Sequence, residues 1–207
     1  TPRAVWDVLL ACLNRLKSIN TKLGLTLPAN LPAIIDNKNP SDVYTELLIN
    51  IRQVNTLLTQ PYTPGNVFQE VSTSLNYIFS LYKRFPELRL HNMPAYSPDI
   101  TPKDVFSMML KCYETIREIA LLSGYNTLDV KFNNHNSILP SDVFDIATLI
   151  NSQLKFLDKQ TKHEHTVYDA VHAGEKTLSH VHQRVRFLDA HLKDLKNTVK
   201  HKKDWLK

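Results

Sequence analysis

One six-residue pattern recurs along this chain and sets where its helices start. Thr1-Pro2-Arg3-Ala4-Val5-Trp6, Asn39-Pro40-Ser41-Asp42-Val43-Tyr44, Thr63-Pro64-Gly65-Asn66-Val67-Phe68, Thr101-Pro102-Lys103-Asp104-Val105-Phe106 and Leu139-Pro140-Ser141-Asp142-Val143-Phe144 all follow it. Thr or Asn in the first place is a helix N-cap, whose side-chain oxygen accepts from otherwise orphaned backbone N–H groups. Proline follows at the first helical position, where its missing N–H removes nothing. Asp42, Asp104 and Asp142 then fall at the third helical residue, able to bond back to the cap and to face the positive end of the helix dipole. Capping accounts for these carboxylates without a role as acids or metal ligands.

The starters are themselves repeated. Those at 1, 39 and 63 have counterparts 100 residues later, at 101, 139 and 163. At 163 the chain reads His163-Glu164-His165-Thr166-Val167-Tyr168, without the proline but with the valine–aromatic pair. Cys12 and Cys112, Ile19 and Ile119, Gly24 and Gly124, Gln53 and Gln153, Leu57 and Leu157, and Arg84 and Arg184 agree at the same offset. The reading is an all-α, six-helix bundle from a tandem duplication of a three-helix unit. Residues 1–100 form the first repeat and 101–207 the second, packed together as one domain, because a small three-helix core is marginal alone.

Apolar spacing after each starter is helical. Val67, Val71, Leu75, Ile78 and Tyr82 give one stripe, ended near Phe85 by Pro86, and Val105, Met109, Cys112, Ile116 and Ile119 give another. For the sixth element Val171, Gly174, Leu178, Val181, Val185, Leu188, Leu192, Leu195 and Val199 alternate at three and four. That spacing predicts one long C-terminal helix from about 164 to 206, with a coiled-coil-like seam. Its length would be ~64 Å at ~1.5 Å per residue. The far end of such a helix packs on loops of the first repeat or on another chain, or it frays; packing on a second copy would be self-association through the C-terminal helix.

Helices two and three, and five and six, are separated by about four residues, which predicts antiparallel hairpins. Segments 25–38, 86–100 and 125–138 are longer than ordinary connections. Fourteen extended residues span ~46 Å, enough to run back along a helix and leave its neighbours parallel. These segments carry apolar residues, among them Met93, Tyr96, Tyr125 and Phe132, which are the ligand-binding candidates where loops meet helices.

Composition excludes several classes. Four glycines against 11 prolines leave little room for phosphate-cradling loops. No GxSxG, HExxH, GxGxxG or Walker sequence occurs, so no catalytic residue is assigned and no cofactor is expected. The net charge of +5 gathers in Lys193, Lys196, Lys200, Lys202, Lys203 and Lys207, without the interleaved aromatics that stack on bases. A solvated helix end is the reading, and nucleic acid is not an expected partner. No apolar run approaches the ~20 residues of a membrane span. Cys12 and Cys112 are either buried free thiols or, in an oxidising compartment, a bridge. A chain that starts at Thr1 favours an extracytoplasmic, periplasmic or secreted address.

Seven histidines lie beyond residue 160, and none forms an i, i+4 pair with another. On a helix, His165 with Asp169 and His172 with Glu175 would share faces, giving a metal site only with outside ligands. Three functions therefore stand side by side: a non-catalytic binding or interaction module, a sensor-type helical domain for a small molecule, and a metal-handling protein.

Overall fold

The computed structural model describes residues 19, 21–24, 39–57, 62–130, 138–161, 166–202 and 205–206. The chain divides into two compact units, Thr1–Lys38 and Asn39–Lys207. In the first, helical residues 21–23 run into Gly24, whose N–H donates to the Thr21 carbonyl at 3.3 Å. The second unit holds helices from both expected repeats. Its described residues contain no strand. They form α1 (Pro40–Leu57), α2 (Pro64–Tyr82), α3 (Pro102–Leu122), α4 (Pro140–Gln160) and α5 (Leu178–Lys200).

The starters act as caps. The Asn39 N–H donates to Asp42 Oδ2 at 3.0 Å, the Thr101 N–H to Asp104 Oδ2 at 2.9 Å, and the Leu139 N–H to Asp142 Oδ2 at 2.8 Å. Thr63 and Asn66 close a reciprocal box at the head of α2. Leucine at 139 has no oxygen to offer, so α4 keeps only the half of the box that Asp142 supplies. The geometry at 39–42 therefore recurs at 139–142, and Gly24 and Gly124 both end helices with left-handed φ values of 66° and 81°.

Helices α2, α4, α3 and α5 pack in that cyclic order, each against two others. Their directions follow from what meets at each end. Pro64, Pro102, Pro140 and Leu178, the first residues of all four, border one small apolar depression. At the other end the Phe85 and Trp205 rings lie 5.4 Å apart. There Trp205 Nε1 donates to Ser123 Oγ at 2.7 Å, and an Arg84 guanidinium N–H donates to the Thr161 carbonyl at 2.8 Å. All four helices therefore run the same way. Between them lies a continuous core that includes Leu75, Ile78, Met109, Ile116, Ile146, Leu154, Leu188 and Leu192. Cys112 is a free thiol within it. Burial drives its pKa far above that of an ordinary thiol, so it is an inert core residue. Cys12 lies outside the described residues. Tyr44 joins α1 to this unit, and burial, opposed by a hydrogen bond with Thr148, raises its phenol pKa to about 12.

Parallel neighbours need connections as long as the helices. Residues 83–101 run back along the bundle, and between α3 and α4 the chain returns the same way, with residues 123–130 and 138–139 described. The third crossover corrects two expectations. Residues 166–177 are not helical, so α5 begins at Leu178, and α4 and α5 are not joined by a four-residue hairpin. The 163 starter has lost its proline, Gly174 sits at φ 70°, and the real cap is Thr177, whose N–H donates to His180 Nδ1 at 3.2 Å. Val171, read as part of the stripe, is 92% exposed. The helix is thus 23 residues, or ~35 Å at ~1.5 Å per residue. Its far end packs within the unit, through Val199, Trp205 and Leu206.

Leu154 has no exposed surface, whereas Leu121 is 58% exposed. Leu154→Ala is expected to lower unfolding free energy by about 2–5 kcal/mol through lost transfer energy and a residual cavity. Leu121→Ala should change it by about 0.5 kcal/mol or less. Urea unfolding with matched slopes checks the pair, and similar losses for both would contradict this packing.

Candidate functional site

Phe68, Ser72, Leu75, Asn76 and Phe79 recur at three and four along α2 and so share one of its faces. The third crossover runs back over this face. Asn76 Nδ2 donates to the Tyr168 carbonyl at 3.0 Å, the Ala170 N–H donates to Thr73 Oγ1 at 2.9 Å, and His172 Nε2 donates to the Gly65 carbonyl at 3.0 Å. The His172 ring stands edge-on to Phe68, with centroids 5.5 Å apart. Gly65 makes this approach possible, because a Cβ there would sit 3.3 Å from the imidazole.

Between the crossover, α2 and the start of α5 lies a cleft of about 390 Å³. Phe68, Leu75, Phe79 and Val171 give it apolar walls. Its charges are all of one sign. Lys176 Nζ lies 5.2 Å and Arg184 Cζ 4.8 Å from the Phe68 ring centroid, both within cation–π range. Burial holds the Arg184 guanidinium below its ordinary pKa. Among the described residues no carboxylate lies in ion-pair reach of either cation, and Lys176 Nζ donates to the Ala173 carbonyl at 2.9 Å. Ser72 Oγ and His172 Nδ1 are buried and take no hydrogen-bond partner from the protein. With Nε2 donating, Nδ1 of neutral His172 is an acceptor, and Ser72 can both donate and accept.

No family model, curated protein or solved structure matches this chain.

The residues singled out from sequence are dispersed. Met93 and Tyr96 lie on the first crossover, which is held to α5 by Gln183 Nε2 donating to the Pro94 carbonyl at 2.7 Å and by the Tyr96 ring 5.3 Å from His180. Tyr125 packs its ring 5.6 Å from Phe156, just past the opposite end of α3. Phe132 and His165 lie outside the described residues. Asp169, His172 and Glu175 sit on an extended crossover, so the shared helical faces that would have aimed them at a metal do not form. Among the described residues no three His, Cys, Asp or Glu side chains gather to hold a metal ion. Of the described candidates, His172 lines the α2 cleft. Arg184 stood out only as the counterpart of Arg84, and Phe68 only as part of a starter. The signals that were present are Gly65 in the first turn of a helix and an unpaired Val171–Gly174 stretch.

Among the described residues, three of the six C-terminal lysines are paired. Lys193 pairs with Asp189 at 2.6 Å, Lys196 with Glu118 at 2.9 Å, and Lys202 with Glu87. Cations at this end also face the negative poles of four parallel helices.

A fully buried histidine also lies outside the cleft. His191 has no exposed surface; its Nδ1 donates to the Phe187 carbonyl at 2.7 Å and its Nε2 accepts from the His91 N–H at 3.3 Å. The His91 side chain pairs with Asp194 at 2.8 Å. Burial lowers the His191 pKa from 6.5, assisted by His91 and opposed by the Phe187 carbonyl and Asp194. The folded state therefore binds this proton less readily than the unfolded chain. Stability from neutral His191 is present above the unfolded value and is lost as pH falls below about 6.5. His182 is shifted in the same direction, chiefly by burial, and adds to the effect. Urea midpoints should fall between pH 7.5 and pH 5, less steeply in His191→Gln. Equal slopes in both proteins would remove His191 as the cause.

Proposed function

We propose that this chain is a helical domain that binds a small molecule in the cleft between α2, the head of α5 and the 166–177 crossover. The observation that carries the reading is an open cleft of about 390 Å³ in which aromatic and aliphatic side chains adjoin several convergent polar groups, a combination found in ligand sites. The crossover is pinned to α2 at Tyr168, Ala170 and His172, so the wall is built before a ligand arrives. Preformed walls reduce the ordering cost of binding. Nothing in the cleft has the nucleophile–base–orienter arrangement that acyl or phosphoryl transfer requires, so binding rather than turnover is the activity proposed.

Ala173 is exposed and borders the cleft, so a bulky side chain there fills it at little expense to folding. A thermal-shift and amide-NMR fragment screen is expected to give saturable hits that move the Ser72, Asn76 and Ala170 amides. Ala173→Trp should abolish those shifts while leaving the melting temperature without ligand within about 2 °C. Saturable hits that survive Ala173→Trp would move the site elsewhere.

A second reading, an interaction module, is favoured by Leu90, Met93 and Tyr96, which are 65%, 46% and 50% exposed on the first crossover. If that surface buries against a partner or a second copy, sedimentation should show concentration-dependent mass that Leu90→Asp removes. A constant monomer mass at all concentrations would leave no support for the second-copy form of this reading.

A further inference from the structure

We infer that the cleft selects an organic monocarboxylate carried on an apolar body, with its head group at Arg184 and Lys176. The inference rests on the small-molecule reading above and adds the ligand's charge and shape. Three independent features support it.

The first is an electrostatic imbalance. Lys176 and Arg184 both approach the one Phe68 ring, so the two cations lie within about 10 Å of each other. Burial lowers the Arg184 guanidinium pKa, and among the described residues no carboxylate lies in ion-pair reach of it. A partly desolvated cation without a counter-charge is unfavourable, and a second cation nearby adds repulsion. One anion between them relieves both terms at once.

The second is hydrogen-bonding capacity. Ser72 Oγ on the floor of the cleft has no partner within the protein. That atom has no accessible surface, so the head group is held by the planar Arg184 fork, which can take one carboxylate oxygen or both.

The third is the apolar remainder. Phe79 lines the cleft on α2, and Val171 on the crossover is 92% exposed. A hydrocarbon or aryl body lying from Phe79 toward Val171 would cover that surface, which a bare inorganic anion would leave in water. The pairing of a two-cation head with an apolar trough points to a monoanion with a hydrophobic tail rather than to a multiply charged phosphate.

The test uses the full chain and defined probes: benzoate and hexanoate, their uncharged counterparts benzamide and hexanamide, and inorganic phosphate. Amide-NMR titrations should give saturable shifts at Ser72, Ala170 and Lys176 with the carboxylates. The amides should bind at least tenfold more weakly, and phosphate more weakly still. Arg184→Gln should weaken carboxylate binding at least tenfold and leave the amides unchanged. If Arg184→Gln loses its native spectrum, Lys176→Gln reads the same quantity with a several-fold loss expected. Amides that bind as tightly as carboxylates, at the same residues, would overturn the charge selection and leave the small-molecule reading standing. Phosphate binding as tightly as benzoate would overturn the apolar-body assignment. No saturable shift at the cleft with any probe would overturn both this inference and the reading it rests on.

Discussion

The parallel alignment of four helices is the constraint from which the rest of this structure follows. Antiparallel neighbours can be joined by a few residues, but parallel ones need a return path of about their own length. Residues 83–101, 123–130 and 166–177 are the described parts of those return paths. They cannot stay fully solvated strings, because each crosses a helical surface that still has apolar positions to cover. Leu88 and Ile100 on the first, Leu128 and Val130 on the second, and Val167 on the third accordingly join the core.

The same alignment organises charge. Parallel dipoles add rather than cancel, giving a positive end where the prolines meet and a negative end around Phe85 and Trp205. Asp104 and Asp142 sit at the first, and Lys196, Lys200 and Lys202 lie toward the second. Thr101 hydrogen bonds to the Asp104 carboxylate hold its pKa below the ordinary range, as expected of a cap that stays ionised. The basic C-terminus, taken alone, resembles a patch for polyanions. In the fold it is half of a charge distribution matched to the helix axes.

The crossovers also create the cleft. Two helices packed side by side leave only a groove, whereas a chain laid along that groove adds a third wall. His172 reaching Gly65, and Ala170 reaching Thr73, hold the wall about one residue's width from α2. Had α5 begun near 164, as its spacing suggested, helix would have replaced that wall. The cleft therefore exists because residues 166–177 are not helical and α5 starts only after Thr177.

Local chemistry was legible in the sequence wherever it depended on neighbours in the chain. The caps at Asn39, Thr63, Thr101 and Leu139, the helical stripes behind them, and the length of two crossovers all follow from residue type and spacing, because N-caps, proline and 3.6-residue periodicity act over one or two turns. Cys112 as a core residue was readable for the same reason. Helix direction and neighbour order were not, since an apolar stripe specifies that a face is buried but not against what. The meeting of Phe68, His172, Lys176 and Arg184 brings together residues more than 100 positions apart. The sequence by itself determined an all-helical chain and the points where most helices begin. Tertiary structure alone decided that four of them run parallel and that two cations share one aromatic ring, because long-range packing, unlike capping, leaves no trace in local spacing.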